Sequence, residues 1–321
     1  TGGTGSFGKA FVRKVLKEHD VKRLVIYSRD ELKQFDMQQE FDGSNIRYFL
    51  GDVRDEKRLE RALSGIDTVV HAAAVKQVVA SEYNPIECIL TNVIGAENVI
   101  NASLNTGVKH VIALSTDKAV NPLNLYGATK LCSDKLFISA NNMSGASGCV
   151  FSVVRYGNVI GSRGSVVPVF QKQLSTGKLT ITDERMTRFW LTLEQSTDFV
   201  ISSLGRMIGG EIFVPKIPSM KIIDLAKTIG PDCEIEVIGI RPGEKLHEIL
   251  IPRDEMRNTY EFDNFFVVQP AFNMWSSDTH APTEYDGVKG RLATEDFEYD
   301  SGNNDLWVSR DRLLQMINQK N

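Results

Sequence analysis

Thr1-Gly2-Gly3-Thr4-Gly5-Ser6-Phe7-Gly8 satisfies both G-x-x-G-x-x-G and G-x-G-x-x-G. Glycines at this spacing permit a tight turn and let the backbone approach a pyrophosphate, whose charge then faces the N-terminus of the next helix. The loop runs into an amphipathic stretch, Gly8–Glu18, and then a β-branched run, Leu24–Ser28. A second strand pattern, Arg47–Gly51, is followed by the acidic Asp52. That context turns a weak glycine motif into a dinucleotide cradle. Such a loop ordinarily follows a strand, so one is expected upstream of Thr1.

The alternation continues outward. Strands are expected at Thr68–His71, Val111–Ser115 and Phe151–Tyr156, with helices at Asp30–Phe41, Lys57–Leu63, Pro85–Asn105 and Tyr126–Asn141. This rhythm marks an α/β fold, a Rossmann-like doubly wound parallel sheet whose ligands sit at the carboxyl ends of the strands. After about Gly161 the pattern loosens. A helix is expected at Glu194–Met207, a strand at Glu211–Ile217, a helix capped by Ser219 through Ile229, a strand at Glu234–Ile240, and helices at Lys245–Ile249 and Arg310–Ile317. The division expected is a dinucleotide-binding domain over 1–163 and a smaller α/β substrate-binding lobe over 164–321, with some segments returning to the first domain. The Pro85–Asn105 helix serves equally as core or as a subunit interface.

Ser115-Thr-Asp-Lys-Ala-Val-Asn-Pro-Leu-Asn-Leu-Tyr-Gly-Ala-Thr-Lys130 carries the chemistry. Tyr126 and Lys130 lie four apart and share one helix face. A lysine beside a phenol favours phenolate and makes the tyrosine usable as a base. Tyr-x-x-x-Lys is cheap, since Tyr285 and Lys289 repeat it in a polar segment with no strand or glycine loop nearby. Placement past a strand end gives the first copy its meaning. Asp117 and Lys118 add an acid and a base that a plain redox step does not need; otherwise they are a surface ion pair.

The second strand ends in Ser28-Arg29, with Asp30 beyond and Lys33 one turn on. A hydroxyl and two cations suit a 2′-phosphate and hence NADP, whereas Asp30 on the ribose would mean NAD.

Composition bounds the rest. The 321 residues are 42% hydrophobic and 24% charged, with a net charge of -4, so a nucleic-acid surface is not expected. Cys88, Cys132, Cys149 and Cys233 have no metal spacing, which implies reduced thiols, no metal site and a cytoplasmic setting. No uncharged run reaches the roughly 18 residues of a membrane helix.

These motifs together resemble the extended short-chain dehydrogenase/reductase superfamily, and within it the nucleotide-sugar 4,6-dehydratases acting on UDP-N-acetylglucosamine. The likeness rests on Thr1–Gly8, His71-Ala-Ala-Ala-Val-Lys76, Thr91-Asn92, Ser115–Ala119, Tyr126–Lys130, Arg155-Tyr-Gly-Asn158 and Arg241-Pro-Gly-Glu-Lys245. It is nearest the soluble C5-inverting group that opens pseudaminic acid biosynthesis. Glucose 4,6-dehydratases are similar but carry Asp-Glu at 117–118, and C5-retaining relatives tend to carry Met at 126.

The resemblance implies an enzyme and assigns roles. Tyr126 would take the sugar 4-hydroxyl proton, with Thr116 on the same oxygen and Lys130 lowering the phenol and holding the nicotinamide ribose. Lys118 would remove the carbon-5 proton, provided burial and neighbouring positive charge keep it neutral. Asp117, protonated, would release the 6-hydroxyl as water. The cofactor would lie on Gly2, Gly5, Ser6, Phe7, Gly8, Ser28, Arg29, Lys33, Asp52, Val53, Ala72, Ala73, Ala74 and Asn92. The UDP-sugar would meet Lys76, Asn158, Arg163, Ser165, Arg188, Arg241 and Glu244. A homo-oligomer is implied. The alternatives are a UDP-sugar 4-epimerase, a C5-retaining dehydratase, and a non-catalytic NADP-sensing regulator.

Overall fold

The computed structural model describes residues 1–161, 165–272, 283–294 and 296–318. Five parallel strands appear close to their expected places: β1 (Leu24–Ser28), β2 (Ile46–Leu50), β3 (Thr68–His71), β4 (His110–Thr116) and β5 (Val150–Tyr156). β3, β4 and β5 pair in parallel and register Val70, Ile112 and Ser152 side by side. β4 and β5 read as near-continuous β-branched runs because both faces are covered, β5 being buried from Phe151 to Tyr156.

The sheet then continues with chain from the second half. Ile212–Pro215 pairs parallel to β5, Phe265–Val268 antiparallel to Ile212–Pro215, and Thr259–Glu261 antiparallel beyond that. One core cluster therefore runs from Tyr27 to Tyr299. A second and smaller one gathers Phe170, Leu179, Met186, Trp190 and Leu225 with Leu313 and Met316 of the last helix, Arg310–Asn318.

β1 and β2 form their own parallel pair. The glycine loop threads between β1 and the chain after β3. A Cβ on Gly3 would lie 2.9 Å from the Ile26 side chain, and one on Gly2 would lie 2.7 Å from the Ala73 nitrogen. Helices α1 (Ser6–Glu18), α2 (Glu31–Gln38) and α3 (Glu56–Leu63) follow the loop, β1 and β2. Asp30 and Asp55 cap α2 and α3 by accepting from the third backbone N–H.

Two expectations change, one is refined and one holds. The expected Pro85–Asn105 helix continues through Pro85–Ile89, a π-helical segment at Leu90–Ile94, and Gly95–Thr106, whose buried face joins the main core. Ser219 does not cap a helix; it lies in the strand Ser219–Lys221 beside Phe189, and the helix begins at Ile222. The segment expected as a helix at Lys245–Ile249 instead leads into the strand Ile249–Ile251, because Ile249 pairs with Asp300. Tyr285 and Lys289 stand on opposite arms of a hairpin turned by Asp286 and Gly287, both at positive φ. The second Tyr-x-x-x-Lys therefore never forms a helix face.

Candidate active site

A cavity of about 950 Å³ opens at the carboxyl ends of the strands, between the main sheet and the smaller core. At one end it is walled by the glycine loop, Ser28, Arg29, Lys33, Asp52, Val53 and Ala72–Ala74. Thr116, Lys118, Tyr126 and Lys130 sit in the middle, and Lys76, Asn158, Ser165, Arg188, Arg241 and Glu244 line the rest. Nearly every residue expected from sequence meets in this one space.

The cradle end fits a dinucleotide. Gly5 precedes α1 without any side-chain cap, and the first-turn residues Ser6, Phe7 and Gly8 face the cavity, so open N–H groups and the helix dipole are available to an anion. Gly8 is required because a Cβ there would lie 2.2 Å from the Gly3 carbonyl oxygen. At the strand end, Lys33 pairs with Asp30, which also caps α2. Arg29 is mostly exposed and lies 3.8 Å from Asp52, whose main partner is Arg54 at 2.8 Å.

Three residues are placed differently from expectation. Asn92 does not line the cavity; its side chain accepts from Val75 N–H at 2.8 Å and donates to Val75 C=O at 2.9 Å and Thr129 Oγ1 at 3.0 Å. It tethers the 72–76 loop instead of touching a ligand. Asp117 is fully buried behind Lys118, outside the cavity wall. Arg155 of the Arg-Tyr-Gly-Asn stretch does not reach the cleft. It is sealed beneath it, bonded to Glu255 at 2.7 Å and the Leu250 carbonyl, and 3.9 Å from Asp134. Arg163 lies outside the described residues.

Local geometry explains the candidate catalytic cluster. β4 ends at Thr116, whose hydroxyl caps a single 3-10 turn, Asp117–Ala119. Asn124 then caps the helix Leu125–Ser139 by accepting from Gly127 N–H at 2.8 Å. Gly127 is needed because a Cβ would stand 2.1 Å from the Lys118 carbonyl oxygen. That approach brings Tyr126 next to the acid-base turn. From the second half, Lys245 donates to the Val120 carbonyl and Asn124 donates to the Gly243 carbonyl at 2.9 Å.

The electrostatics correct the expected division of labour. Burial pushes the Tyr126 phenol up to about 12, and the opposing pull comes from Lys118 and the Thr116 hydroxyl. Lys130, itself buried, is lowered by desolvation, with Asp134 opposing. Lys118 therefore supplies the positive charge that acts on the phenol in this state. Nor is Lys118 held neutral. Burial works to lower it, but Asp117 at 3.0 Å and Glu248 at 3.4 Å outweigh that and hold the ammonium above its ordinary value. Asp117 is raised by burial and by Glu248, against the pull of Lys118.

Glu248 is a candidate site residue that sequence reasoning missed. It is buried, lines the cavity, and bridges Lys118 to Arg188, whose Nε is 3.6 Å away. Among the described residues no cluster of side chains could hold a metal ion, and the four cysteines are free.

Comparison with known proteins fits this geometry. A family described as polysaccharide biosynthesis protein matches residues 1–270. The chain belongs to this family. As its motifs imply, it is a member of the extended short-chain dehydrogenase/reductases. It is 54% identical over 99% of its length, and 96% of the relative, to a UDP-N-acetylglucosamine 4,6-dehydratase (inverting) from Campylobacter jejuni. A UDP-glucose 4-epimerase from Rickettsia massiliae is 44% identical over 84% of this chain and 81% of its own. Among solved structures, Pen from Bacillus thuringiensis superposes with a TM-score of 0.89 at 38% identity, covering 98% of this chain and 95% of that one. A dTDP-glucose 4,6-dehydratase from Streptomyces venezuelae, with NAD bound, shares the fold at a TM-score of 0.67 and 22% identity. Among the described residues no helix is long and apolar enough to cross a membrane.

Proposed function

We propose that the protein is an NADP-dependent UDP-N-acetylglucosamine 4,6-dehydratase that inverts carbon 5. Its product would be UDP-2-acetamido-2,6-dideoxy-β-L-arabino-hexos-4-ulose, the first intermediate of pseudaminic acid biosynthesis for flagellin glycosylation. The observation that carries the reading is the Asp117–Lys118 pair, 3.0 Å apart, whose Lys118 lines, with Tyr126, the cavity that the glycine loop shares. The inverting relative supports the substrate and the stereochemistry.

Bound nicotinamide would supply reversible hydride exchange with the sugar. The chain's own groups move the protons. Tyr126, beside Thr116, takes the proton of the 4-hydroxyl. Because burial holds the phenol protonated in this state, the positive charge of Lys118 and the Thr116 hydroxyl are the protein's means of lowering it. Once carbon 4 is a ketone, the proton on carbon 5 becomes acidic.

Lys118 and Asp117 then act as one unit. Transfer of a proton from the ammonium to the carboxylate leaves a neutral amine and a neutral acid, and burial favours that neutral pair once ligand excludes water. The amine removes the carbon-5 proton, and the acid, whose Oδ1 accepts from the cavity-lining Thr116 hydroxyl at 2.9 Å, passes its proton through that hydroxyl to the departing 6-hydroxyl, so one water leaves and the pair returns to its ionic form. The hydride that the nicotinamide would supply at carbon 6, together with a solvent proton added to carbon 5 on the opposite face, would complete the 6-methyl group and invert the ring. Lys76, Arg188 and Arg241 face the cavity where an anionic diphosphate would lie.

Proton NMR of UDP-N-acetylglucosamine with the protein and NADP in deuterated water tests this. A new 6-methyl signal, solvent deuterium at carbon 5 and an inverted ring are expected. Formation of UDP-N-acetylgalactosamine instead would establish the epimerase reading, which the Rickettsia relative favours. Light scattering reads whether the active species is a homo-oligomer.

A further inference from the structure

Lys118 does not stand alone in the cavity wall. Glu248 is 2% exposed and comes from the segment before Ile249–Ile251, more than a hundred residues from the pair. Its position is fixed from three sides. The Glu248 N–H donates to Ser301 Oγ at 2.9 Å, and Ser301 N–H donates back to the Glu248 carbonyl at 2.8 Å. Arg188 reaches the same carboxylate oxygen that Lys118 contacts, Oε1. Arg188 is in turn held by the Thr187 and Leu246 carbonyls at 2.7 and 3.2 Å. The second oxygen, Glu248 Oε2, is buried with no partner among the described residues, as is Asp117 Oδ2.

Building on the dehydratase reading, we infer that Glu248 is a positioning residue for the elimination: its carboxylate, fixed by Arg188 and Ser301, holds the Lys118 Nζ against Asp117 and sets the basicity of that amine. The charges facing Glu248 are Lys118 and Asp117 from the turn after β4, Arg188 from the strand Thr187–Leu191, and Lys245 from its own segment. Lys118 is thus a cation between two carboxylates, and Glu248 is a carboxylate between cations. An amine so placed is a stronger base than it would be beside Asp117 alone. Glu248 touches no bond that breaks; it acts through Lys118.

The test uses the full-length protein with Glu248→Gln and Glu248→Asp. Three quantities are followed: 4-keto sugar formation, solvent deuterium entering carbon 5, and the pH titration of Lys118 Nζ by 15N-lysine NMR, assigned with Lys118→Arg. In Glu248→Gln the carbon-5 exchange should fall at least tenfold more than oxidation at carbon 4. The Lys118 titration and the matching limb of the pH–rate profile should move to lower pH, because a stabilising negative charge has been removed. Glu248→Asp, which keeps the charge, should restore the titration at least in part.

Equal loss of both steps in the two variants, or a Lys118 titration unmoved in Glu248→Gln, would overturn the inference. Should Glu248→Gln fail to fold, an Asp variant that folds with exchange and oxidation reduced equally would overturn it as well. Failure of the underlying reading is distinct: the unmodified protein would form no 4-keto-6-deoxy sugar.

Discussion

Asn92 grips Val75 by both of its backbone polar groups, accepting from the N–H at 2.8 Å and donating to the C=O at 2.9 Å. The same carboxamide donates to Thr129 Oγ1 on the helix that carries Tyr126 and Lys130. One side chain thus ties the cavity-lining 72–76 loop to the helix that bears Tyr126 and Lys130. Asn92→Ala removes the tether and leaves the two Val75 backbone groups short of partners, a loss of about 2 kcal/mol in urea unfolding. Cofactor affinity should weaken with it, measured by fluorescence titration, although Asn92 itself does not line the cavity. Unchanged affinity would mean that the loop holds its shape without the tether.

Separating oxidation from elimination is the sharpest check on the catalytic turn. Asp117→Asn and Lys118→Met should each lower carbon-5 deuterium exchange by about 10²-fold or more, the range over which positioned acids and bases act. Tyr126→Phe should abolish oxidation at carbon 4, and with it everything downstream. Lys118 also supplies positive charge to the phenol, so its variant should slow oxidation somewhat, whereas Asp117→Asn should not. Rapid-quench analysis of the sugar products reads both steps.

Local chemistry was legible in the sequence; chemistry assembled over distance was not. Thr116, Asp117, Lys118, Tyr126 and Lys130 fall within fifteen residues, so a strand end and a helix start suffice to place them. Glu248 and Arg188 join them only through tertiary pairing, and nothing in Leu-His-Glu-Ile-Leu distinguishes a cavity carboxylate from a surface one. That apolar spacing reads as helix until Ile249 finds Asp300 across a sheet. Arg155 follows the same logic in reverse. Its motif points to the cleft, but on β5 it lies in the register of Ser115 and turns under the sheet edge toward Asp134 and Glu255.

That buried arginine makes a stability prediction. Asp134 and Arg155 are each 1% exposed, and Asp134 also accepts from Ser115 Oγ at 2.7 Å. Removing one member of such a network strands a charge in a dry interior. Asp134→Ala should therefore cost about 3–5 kcal/mol in chemical denaturation. Ser115→Ala, which removes only one neutral hydroxyl, should cost about 1–2 kcal/mol. Similar values for the two would show that Glu255 alone satisfies the guanidinium.

His71 gives a pH signature. It is 1% exposed, packs its ring 5.4 Å from Phe137, and has its pKa pushed well below the ordinary value by burial, with Lys130 adding to the effect. The unfolded chain binds a proton near pH 6.5 that the folded protein refuses. Stability from this residue is thus complete above about pH 6.5 and is lost as pH falls below it, at about 1.4 kcal/mol per pH unit. His71→Gln should remove that slope. The comparison is the difference in unfolding free energy between the two proteins from pH 8 to pH 5; parallel curves would show that His71 is protonated in the fold.

Under the proposed NADP reading, cofactor choice would turn on Arg29. Of the two cations at the end of β1, Lys33 is engaged by Asp30, while Arg29 is 60% exposed at the side chain and only loosely opposite Asp52, at 3.8 Å. Asp52 is already neutralised by Arg54, so a 2′-phosphate arriving beside Arg29 would compete with a weak contact, not a strong one. A guanidinium there can meet phosphate oxygens in a bidentate fork that lysine cannot reproduce. Arg29→Ala should therefore weaken NADP binding about tenfold and leave NAD binding nearly unchanged; Arg29→Lys should recover only part of the loss. Isothermal titration with each cofactor reads the ratio. If both cofactors weaken equally, Arg29 shapes the loop without reading the phosphate, and Asp30 on the ribose becomes the better account of specificity.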